Sequence, residues 1–406
     1  MTAVDGDLVF DPYDYAFHAD PYPLYRRLRE EAPAYRNDER DFWALSRNED
    51  VLGAFRDTAR FSSGHGVSLD EAVWGPEAWR SMSFLAMDPP RHGRMRGLVS
   101  RGFTPRRVAD LEPRIRELAR LHLGSALEGS AFDFVEDFAG KFPMDVISEM
   151  IGVPEPDRAR IRTLADLMLH RDDGATDVPP EGIAAAFELA AYYTDMVADR
   201  RSSPTDDLTS ALLAAEVDGD RLSDDEVISF LVLMVVAGNE TTTKLLSHAW
   251  YWAWKFPDQR SIVQGDPACI PGWIEETLRY DTSSQLLARI TTEEVPLHGT
   301  AIPAGERVVL LAGSANRDHR AFADPDDYRI LRFGRDGAAS QGKLASFGVG
   351  RHFCLGASLA RLEARVALEE LLSAVGDWDI DEAGARRVHS VNVRGFESLP
   401  TTVTVR

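Results

Sequence analysis

The spacing of apolar residues along the chain predicts helices over most of its length. One helix is predicted over residues 21–33, a stretch that both begins and ends with proline. A second is predicted over residues 107–127, where apolar side chains recur near helical spacing at Leu111, Ile115, Leu118, Leu121 and Leu123. A third is predicted over residues 223–254, which open with a capping serine and three acidic residues that complement the helix dipole. Because this third segment is apolar nearly all round, we expect it to run through the core.

Strand-like patterns are short by comparison. Runs of β-branched, aromatic and other apolar residues occur at 42–46, 307–311 and 401–405. The segment 321–337 carries turn residues without a clear period. We therefore predict a mainly α protein with small β-sheets at its periphery.

Length and charge narrow the class of protein. The 406-residue chain shows no repeat period and no long linker rich in glycine and serine or in proline. We therefore expect one domain over residues 1–406, with residues 1–10 as a flexible N-terminus. The net charge of −21 is spread along the whole chain, which argues against nucleic acid and anionic membrane as partners.

Three features favour a cytoplasmic protein. The chain has two cysteines, Cys269 and Cys354, which are too few for a disulfide framework. Its first residues are acidic and lack the basic region of a signal peptide. The longest nearly unbroken apolar run, residues 230–238, is about half as long as a membrane span. Cys269 lies in a turn-like segment and is interpreted as an incidental thiol.

The other cysteine stands in a distinctive setting, the stretch FGVGRHFCLG at 347–356. Apolar residues after Cys354 recur at helical spacing, which puts the cysteine at a helix N-terminus, where free amides and the dipole stabilise a thiolate. Gly348 and Gly350 allow a tight loop, and Gly356 leaves room for a flat group against the helix. A small buried cysteine at a helix start is the simpler interpretation, but the spaced glycines and aromatics favour a sulfur ligand.

This stretch resembles the haem-ligand loop of the cytochrome P450 family, whose pattern F-x-x-G-x-x-x-C-x-G it matches at every fixed position. The resemblance covers essentially the whole chain and is to the soluble bacterial class of haem-thiolate monooxygenases. It implies a cytochrome P450 fold with a long central helix over haem b (iron protoporphyrin IX). It also implies that Cys354 is the axial thiolate and metal ligand, and that Gly356 borders the cofactor.

The segment AGNETT at 237–242 lies inside the predicted central helix. Its threonines and glycine are poor helix formers, so a local opening is expected there. From these residues alone, a structural kink and a functional site are equally good interpretations. The resemblance implies that Ala237 and Gly238 leave a groove over the iron. It also implies that Glu240 and Thr241 are catalytic and deliver protons for oxygen activation.

A Glu-x-x-Arg pattern, Glu276 and Arg279, places two opposite charges on one helix face. An ordinary surface ion pair has the same bare pattern. The resemblance implies a buried structural pair that is joined by Arg332 and has no catalytic role.

The segment MDPPRHGRMR at 87–96 predicts a helix capped by Asp88, with a proline at its first position. On its own it is typical of a solvated surface helix. The resemblance implies that His92 and Arg96 bind the haem propionates together with Arg289 and His352. Two carboxylates in a partly buried site need several such cations.

The substrate pocket is predicted from family position alone. Its predicted lining is Phe84, Val232, Val236, Gln285, Leu286 and Phe396. Residues 283–285, Ser-Ser-Gln, stand where many relatives have Ser-Pro and predict a more polar substrate side.

The leading hypothesis is a monooxygenase that inserts one oxygen atom of O2 into an apolar, mid-sized organic substrate by hydroxylation or epoxidation. A natural product (polyketide, peptide or terpenoid) is the expected substrate class, with steroid or fatty acid next, and the expected role is in secondary metabolism. Electrons are expected from NAD(P)H through a ferredoxin reductase and a ferredoxin. The enzyme is expected to be a monomer.

The ferredoxin is expected to dock on the cysteine side, where basic residues concentrate in two segments. These residues are Arg91, Arg94, Arg101, Arg106, Arg107, Lys343, Arg351, Arg361 and Arg365.

Two alternatives stay open. A peroxide-driven haem enzyme of the same fold needs no redox partner, but such enzymes usually lack the acid–alcohol pair, so Glu240 and Thr241 argue against it. A non-catalytic protein that binds haem, a ligand or a gas is the other alternative. The intact acid–alcohol pair and a large variable pocket count against that interpretation.

Overall fold

Helices dominate the computed structural model, which describes residues 8–172, 175, 177–217, 219–340 and 342–406. The α-helices of the described chain are α1 (Tyr15–Ala19), α2 (Tyr22–Glu31), α3 (Asn48–Arg56), α4 (Trp79–Met82), α5 (Arg91–Val99), α6 (Pro105–Asp110), α7 (Glu112–Ala126), α8 (Phe142–Ile151), α9 (Glu155–Leu169), α10 (Pro180–Ser202), α11 (Leu208–Ala214), α12 (Asp224–Lys255), α13 (Pro257–Gly265), α14 (Ile270–Tyr280), α15 (Ala312–Ala315) and α16 (Ala357–Ala374). The predicted mainly α class is confirmed.

The strands are shorter than most of the helices. They are β1 (Ala34–Asn37), β2 (Phe42–Leu45), β3 (Phe61–Ser62), β4 (Ala131–Asp133), β5 (Glu216–Val217), β6 (Asp220–Arg221), β7 (Leu287–Thr291), β8 (Val295–Leu297), β9 (Thr300–Ile302), β10 (Arg307–Leu310), β11 (Val375–Ile380), β12 (Arg386–Arg387), β13 (Phe396–Ser398) and β14 (Pro400–Val405). The strands predicted at 42–46, 307–311 and 401–405 are β2, β10 and β14.

These strands form one five-stranded sheet and several smaller ones. The larger sheet has the order β1-β2-β10-β7-β3, with β10 parallel to β2 and the other neighbours antiparallel. An antiparallel three-stranded sheet has the order β11-β14-β4. The pairs β5-β6, β8-β9 and β12-β13 are two-stranded ladders.

The helix α12 runs through the core, as the pattern predicts. Its N-terminus is closed by a reciprocal cap, in which the Ser223 hydroxyl accepts from the Glu226 amide and the Glu226 carboxylate accepts from the Ser223 amide. The helix contacts α8, α9, α10, α14 and α16. It is long and apolar enough to cross a membrane, but 67% of its most apolar window is buried inside the protein. Burial of that extent is typical of a core helix.

The helix predicted over 107–127 is instead two helices, α6 and α7, that meet at Leu111. The reason is Pro113, which has no amide proton to continue α6 and occupies the first turn of α7. Leu121, placed in the apolar stripe by its spacing, is 61% exposed, whereas Ile115, Leu118 and Leu123 of that stripe are buried.

The second difference between the predicted and the observed fold lies in the N-terminal segment. Residues 1–7 of the flexible terminus predicted over 1–10 lie outside the described residues. Phe10, however, is fully buried against Phe17 and Phe42, and its carbonyl accepts from the Asn37 side chain at 2.8 Å. Flexibility is therefore wrong for Phe10, which belongs to a hydrophobic cluster under β2 and β10.

Candidate active site

The cysteine loop is built on two glycines with left-handed backbone. Gly348 has a φ of +63° and Gly350 a φ of +75°, a region that other residues rarely adopt. A Cβ on Gly350 would lie 3.3 Å from the backbone of Arg56, so this glycine also lets α3 approach the loop. The Cys354 amide closes the loop by donating to the Phe347 carbonyl at 2.9 Å.

Cys354 lies just before the first turn of α16, the helix-end position that its sequence context predicts. Burial is the largest influence on this thiol and raises the pKa of Cys354 above its usual range. Hydrogen bonds from the Gly356 and Ala357 amides and the charges of Arg96 and Arg361 oppose that increase without cancelling it. Burial therefore outweighs the amide dipoles and positive charges that the protein aims at the sulfur.

Four basic side chains, His92, Arg96, Arg289 and His352, surround one site next to the loop. The rings of His92 and His352 lie 4.1 Å apart between centroids. Burial lowers the pKa of His92 to about 4 and that of Arg289 to about 10, and burial beside Arg289 lowers the pKa of His352 to about 2. His92 Nε2 and one guanidinium nitrogen of Arg96 are buried without a hydrogen-bond partner. Unpartnered polar nitrogens beside the two arginine cations, together with two imidazoles that become charged only if an anion is present, indicate a site for an anionic group.

The middle of α12 is continuous through 237–242, so the predicted opening does not interrupt the helix. The Thr241 hydroxyl donates to the Ala237 carbonyl one turn earlier, at 2.8 Å. Ala237 is exposed, although Val235 and Asn239 on either side of it are buried. Open space therefore lies against this face of a core helix.

Gly238 is partly exposed next to Ala237. A Cβ on Gly238 would lie 3.4 Å from the side chain of Ile147, so the missing side chain lets α8 approach α12. The role of Gly238 in a groove over the iron stays a prediction.

Comparisons with known proteins agree with this geometry. The sequence model described as Cytochrome P450 matches residues 270–375. The Putative cytochrome P450 123 of Mycobacterium tuberculosis (strain H37Rv) is 61% identical over 402 residues, 99% of this chain and 98% of the relative. The Vitamin D(3) 25-hydroxylase of Pseudonocardia autotrophica is 38% identical and covers 98% of this chain and 97% of its own. This chain belongs to the cytochrome P450 family.

The solved structures extend the agreement to the whole fold. The structure of the bacillaene polyketide synthase cytochrome P450 PksS from Bacillus subtilis 168 superposes with a TM-score of 0.87 at 32% sequence identity, over 98% of this chain and 100% of that one. The cytochrome P450 fold predicted from the cysteine loop is thereby confirmed, and the protein is a cytochrome P450 monooxygenase.

Cytochromes P450 carry haem, and the residues of this site fit such a group. Cys354 offers a sulfur ligand, and a Cβ added to the nearby Gly356 would meet no atom within 4 Å, which leaves room for a flat ring. The unpartnered donors of His92 and Arg96 suit the two carboxylates of a haem. Ala237 is exposed, so its face of α12 leaves further room.

The predicted acid Glu240 is buried and forms an ion pair with Lys244, one turn along α12, at 2.9 Å. The Lys244 ammonium also donates to the Phe396 carbonyl at 3.0 Å. Glu240, Lys244 and Asp166 of α9 line a cavity of about 850 Å³ between α9, α12 and the segment that contains β12 and β13. Because Thr241 is the next residue, its side chain points about 100° away around the helix.

The Glu-x-x-Arg pair is fully enclosed. Arg279 binds both carboxylate oxygens of Glu276 at 2.8 Å, and both side chains have no exposed surface. Arg332 donates to the same carboxylate at 3.1 Å, and the Arg329 amide adds a bond of 2.7 Å. The Arg279 guanidinium also donates to backbone carbonyls of the 316–327 segment, which joins α14 to the chain that leads into the cysteine loop.

The predicted pocket residues separate into two groups. Val236 is only partly buried, whereas Val232 and Phe84 are packed in the main core, where the Phe84 ring lies 6.1 Å from Phe230. The side chains of the other three residues, Gln285, Leu286 and Phe396, contact other parts of the protein.

Both polar atoms of the Gln285 side-chain amide form hydrogen bonds. The oxygen accepts from the Tyr25 hydroxyl at 3.1 Å, and the nitrogen donates to the Thr282 carbonyl at 2.7 Å. Leu286 is fully buried in the N-terminal cluster with Phe10. Phe396 packs against His248, Tyr251 and Arg387. The prediction that these three residues line the pocket is corrected, because family position gave their segment but not the direction of each side chain.

The prediction that Asp88 caps the following helix is also wrong. That helix, α5, begins at Arg91. The Asp88 carboxylate accepts from the Ser63 amide at 3.0 Å and from the Ser62 hydroxyl, so it ties α5 to β3. The predicted cap, with Pro89 at the first helical position, is therefore wrong, because the donors nearest to the Asp88 carboxylate come from another part of the chain.

Sequence reasoning missed three residues of these sites. Arg56 borders a depression on the cysteine side, and Asp166 and Lys244 line the cavity behind Glu240. Lys244 carried a signal, since it is one of four lysines and stands four residues after an acid on the same helix. Arg56 and Asp166 carried none, because only tertiary packing brings them to these places.

Proposed function

We propose that this cytochrome P450 binds haem b and inserts one oxygen atom of O2 into an apolar organic substrate. The observation that carries the proposal is the joint placement of a sulfur that accepts two amide hydrogen bonds, a set of buried basic side chains with unpartnered nitrogens, and an exposed alanine on a core helix. When bound, the haem supplies the iron at which dioxygen is activated, with electron density from the thiolate.

The residues of the chain divide the remaining work. Cys354 would hold the iron, and His92, Arg96, Arg289 and His352 would bind the propionates. Ala237 leaves its face of α12 open. Thr241 holds a proton on its hydroxyl, and the bond of that hydroxyl to the Ala237 carbonyl sets its direction.

Glu240 is the acid that supplies protons towards Thr241. Burial opposes ionisation of this carboxyl, but the Lys244 ammonium outweighs burial and keeps the pKa of Glu240 below its usual value. Glu240 is therefore held as an anion that can accept a proton and pass it on.

The test measures the ratio of oxygenated product formed to NAD(P)H consumed. The holoenzyme is supplied with NAD(P)H, a ferredoxin and its reductase, and a substrate selected by its effect on the haem spin state. The proposal predicts close to one oxygenated product for each NAD(P)H consumed, with the added oxygen derived from O2. Equal turnover with hydrogen peroxide alone would favour the peroxide-driven alternative. Absence of any turnover with competent partners would favour a non-catalytic haem protein.

A mid-sized natural product is the proposed substrate class, with a steroid-like molecule next. Support comes from the two relatives named for such chemistry, a vitamin D(3) hydroxylase and a polyketide synthase cytochrome P450. A spectral binding screen with matched sets of macrolides, terpenoids, sterols and fatty acids decides between them. The proposal predicts that a macrolide or terpenoid shifts the spin state at the lowest concentration, and a fatty acid that did so would contradict it.

A ferredoxin is the proposed electron donor, and it would dock on the cysteine side. A depression of about 890 Å³ lies there, lined by Arg56, Gly350 and Phe353, the last of which is 41% exposed. Arg351 and Lys343 next to it are exposed. These cations suit an acidic partner, and electrostatic steering raises the rate of encounter.

Part of the predicted basic set is already neutralised within the protein. Arg94 pairs with Asp220 and Glu226, Arg361 pairs with Glu275, and Arg365 pairs with Glu112 and Glu369. The docking proposal therefore rests on the exposed cations nearest the loop, with Arg56 added. We also propose that the enzyme is a monomer with a single domain. It would be cytoplasmic and would act in secondary metabolism.

A further inference from the structure

Three segments of the chain meet at one buried ion pair. Arg171, just after α9, donates to both carboxylate oxygens of Asp70, at 3.0 and 2.8 Å. Only 7% of the Arg171 side chain and 3% of the Asp70 side chain are exposed. The Arg171 amide also donates to the His389 carbonyl at 3.0 Å, and the Asn392 side chain donates to the Ser68 hydroxyl at 2.9 Å. The pair therefore joins the end of α9, the loop around Asp70 and the segment around His389.

Asp70 belongs to the loop 63–88, which contains α4 and lies against the open face of α12. Near the end of this loop the Phe84 ring lies 6.1 Å from the ring of Phe230 on α12. Phe230 stands about two helical turns before Ala237, so these two residues lie on the same face of the helix. The guanidinium of Arg96 lies 5.4 Å from the centre of the same Phe84 ring. The loop therefore extends from the basic site to the open face at Ala237.

The other side of the ion pair borders solvent. Arg171 lines the cavity of about 850 Å³ between α9 and α12, and Asn239 of α12 lines it as well. Asn239 stands two residues after Ala237 in the sequence. The Asp70–Arg171 pair therefore lies between this cavity and the loop 63–88, close to the helix segment that borders the open space.

We propose that Asp70 and Arg171 are specificity-determining residues that limit the size of the molecules that reach the haem site. The inference rests on the proposed function and adds to it a pair that acts by position, without touching the substrate. Separating a buried pair with two charge-assisted hydrogen bonds leaves two uncompensated charges, so the loop 63–88 is held firmly against the end of α9. A large molecule must wait until this junction separates, whereas a small one passes without its separation.

The test measures how fast two haem-ligating probes of different size bind to the holoenzyme. Imidazole is the small probe and 4-phenylimidazole is the bulky one, and stopped-flow absorbance follows the binding of each to the haem iron. In Asp70→Asn the association and dissociation rates of 4-phenylimidazole are expected to rise about tenfold, because the pair no longer holds the loop. The rates of imidazole should stay at their wild-type values. Asp70→Glu keeps a carboxylate and is expected to restore the wild-type ratio of the two rates.

The matched control is Asp207→Asn, which breaks another Asp–Arg pair of low exposure. Asp207 binds Arg200 at 2.6 Å, with 6% and 15% of the two side chains exposed, and it also accepts from Thr205 and Ser210. This variant should lose stability but keep the wild-type rates of both probes.

Two further measurements keep the proposal open to contradiction. Arg171→Lys keeps the charge but cannot bind both oxygens in the same fork, so it should act like Asp70→Asn with a smaller effect, also where Asp70→Asn does not fold. Hydrogen exchange followed by mass spectrometry should show faster exchange in the loop 63–88 of Asp70→Asn and Arg171→Lys, but not of Asp207→Asn.

The outcomes distinguish the size limit from the proposed function. If Asp70→Asn and Arg171→Lys accelerate both probes equally, or change them no more than Asp207→Asn does, the size limit is overturned while the monooxygenase stands. If neither probe changes the spectrum of the wild type, no haem is open to ligands, and the proposed function and the size limit fall together. Faster binding of 4-phenylimidazole alone, reversed in Asp70→Glu and accompanied by faster exchange in the loop 63–88, supports the size limit.

Discussion

Two buried glutamates, each paired with a basic residue on its own helix, have opposite surroundings. Glu276 is closed in on every side, since Arg279, Arg332 and a backbone amide use its oxygens and no surface is left exposed. Glu240 has a similar partner, Lys244 at 2.9 Å, but it borders a cavity of about 850 Å³ and meets a second carboxyl group. The first is a fixed charge that joins segments, and the second has a route by which a proton can arrive.

The two sites differ in whether water can reach the glutamate and in how many acidic and basic groups lie around it. The two ion pairs themselves are alike. At the Glu276 site two guanidinium groups surround one carboxylate. At the Glu240 site the Lys244 ammonium binds one of two neighbouring carboxyl groups, and the charge of Arg162 acts on both of them. The role of a buried ion pair can therefore be inferred only when the charged groups around the pair are considered as well.

The largest effect is expected from Glu276→Gln. Removing one partner of an enclosed ion pair leaves Arg279 and Arg332 without their counter-charge, so the free energy of unfolding should fall by about 3–5 kcal/mol. Denaturant unfolding of the holoenzyme measures it. The matched control is Glu77→Gln, because Glu77 forms an i,i+3 pair with Arg80 at the same 2.8 Å but both side chains are more than 60% exposed.

The control should cost about 1 kcal/mol or less. Equal losses in Glu276→Gln and Glu77→Gln would show that enclosure does not matter at the first site, and the contrast with Glu240 would lose its basis.

Lys244→Gln should have a smaller effect than the loss of Glu276. Without the ammonium the pKa of Glu240 rises, and the carboxyl can take up a proton from the cavity instead of remaining a buried anion. The expected loss is about 1–3 kcal/mol in the free energy of unfolding. A loss as large as that of Glu276→Gln would mean that no proton reaches Glu240, which contradicts an open cavity.

Thr241→Ala is expected to separate oxygen consumption from product formation. The variant should bind haem and substrate as the wild type does, since the hydroxyl contacts only the Ala237 carbonyl of its own helix among its hydrogen bonds. Product formed for each NAD(P)H should fall by about tenfold, equivalent to about 1.4 kcal/mol, with hydrogen peroxide released in its place. The assay measures product, NAD(P)H and peroxide in parallel.

Thr241→Ser is the control because it keeps the hydroxyl. If Ser and Ala behave alike, the residue only shapes the helix, and proton delivery must be reassigned.

The smallest effect is expected on the cysteine side. Arg56→Glu and Arg351→Glu should slow reduction by an acidic ferredoxin by roughly three- to tenfold at low salt, and the difference should shrink as ionic strength rises. Stopped-flow reduction across a salt series measures it, with Arg160→Glu on α9 as a control for net charge. A rate that is insensitive both to salt and to these changes contradicts docking at this depression.

Local backbone chemistry explains which parts of the molecule could be predicted from the sequence. The cysteine loop depends on glycines with positive φ within ten residues, and the start of α12 depends on a cap within four, so both were predictable. Pro113 is also a local signal, since it breaks the single helix predicted over 107–127 into α6 and α7.

Side-chain direction could not be predicted in the same way. The contact of Gly238 with Ile147, the burial of Leu286 beside Phe10, and the meeting of Asp166 with Glu240 each join segments far apart in the chain. In each case the residue type was compatible with several neighbours, and tertiary packing chose among them.

The most direct test of the central claim is the absorption spectrum of the reduced, carbon monoxide-treated holoenzyme. The account predicts the strongly red-shifted Soret band of thiolate ligation, retained in Cys269→Ala and lost in Cys354→Ala. The control is suitable because Cys269 is buried beside Asp266, at the N-terminus of α14. A spectrum typical of histidine ligation in fully folded wild-type protein, or a red-shifted band that survives Cys354→Ala, would contradict Cys354 as the ligand and the account built on it.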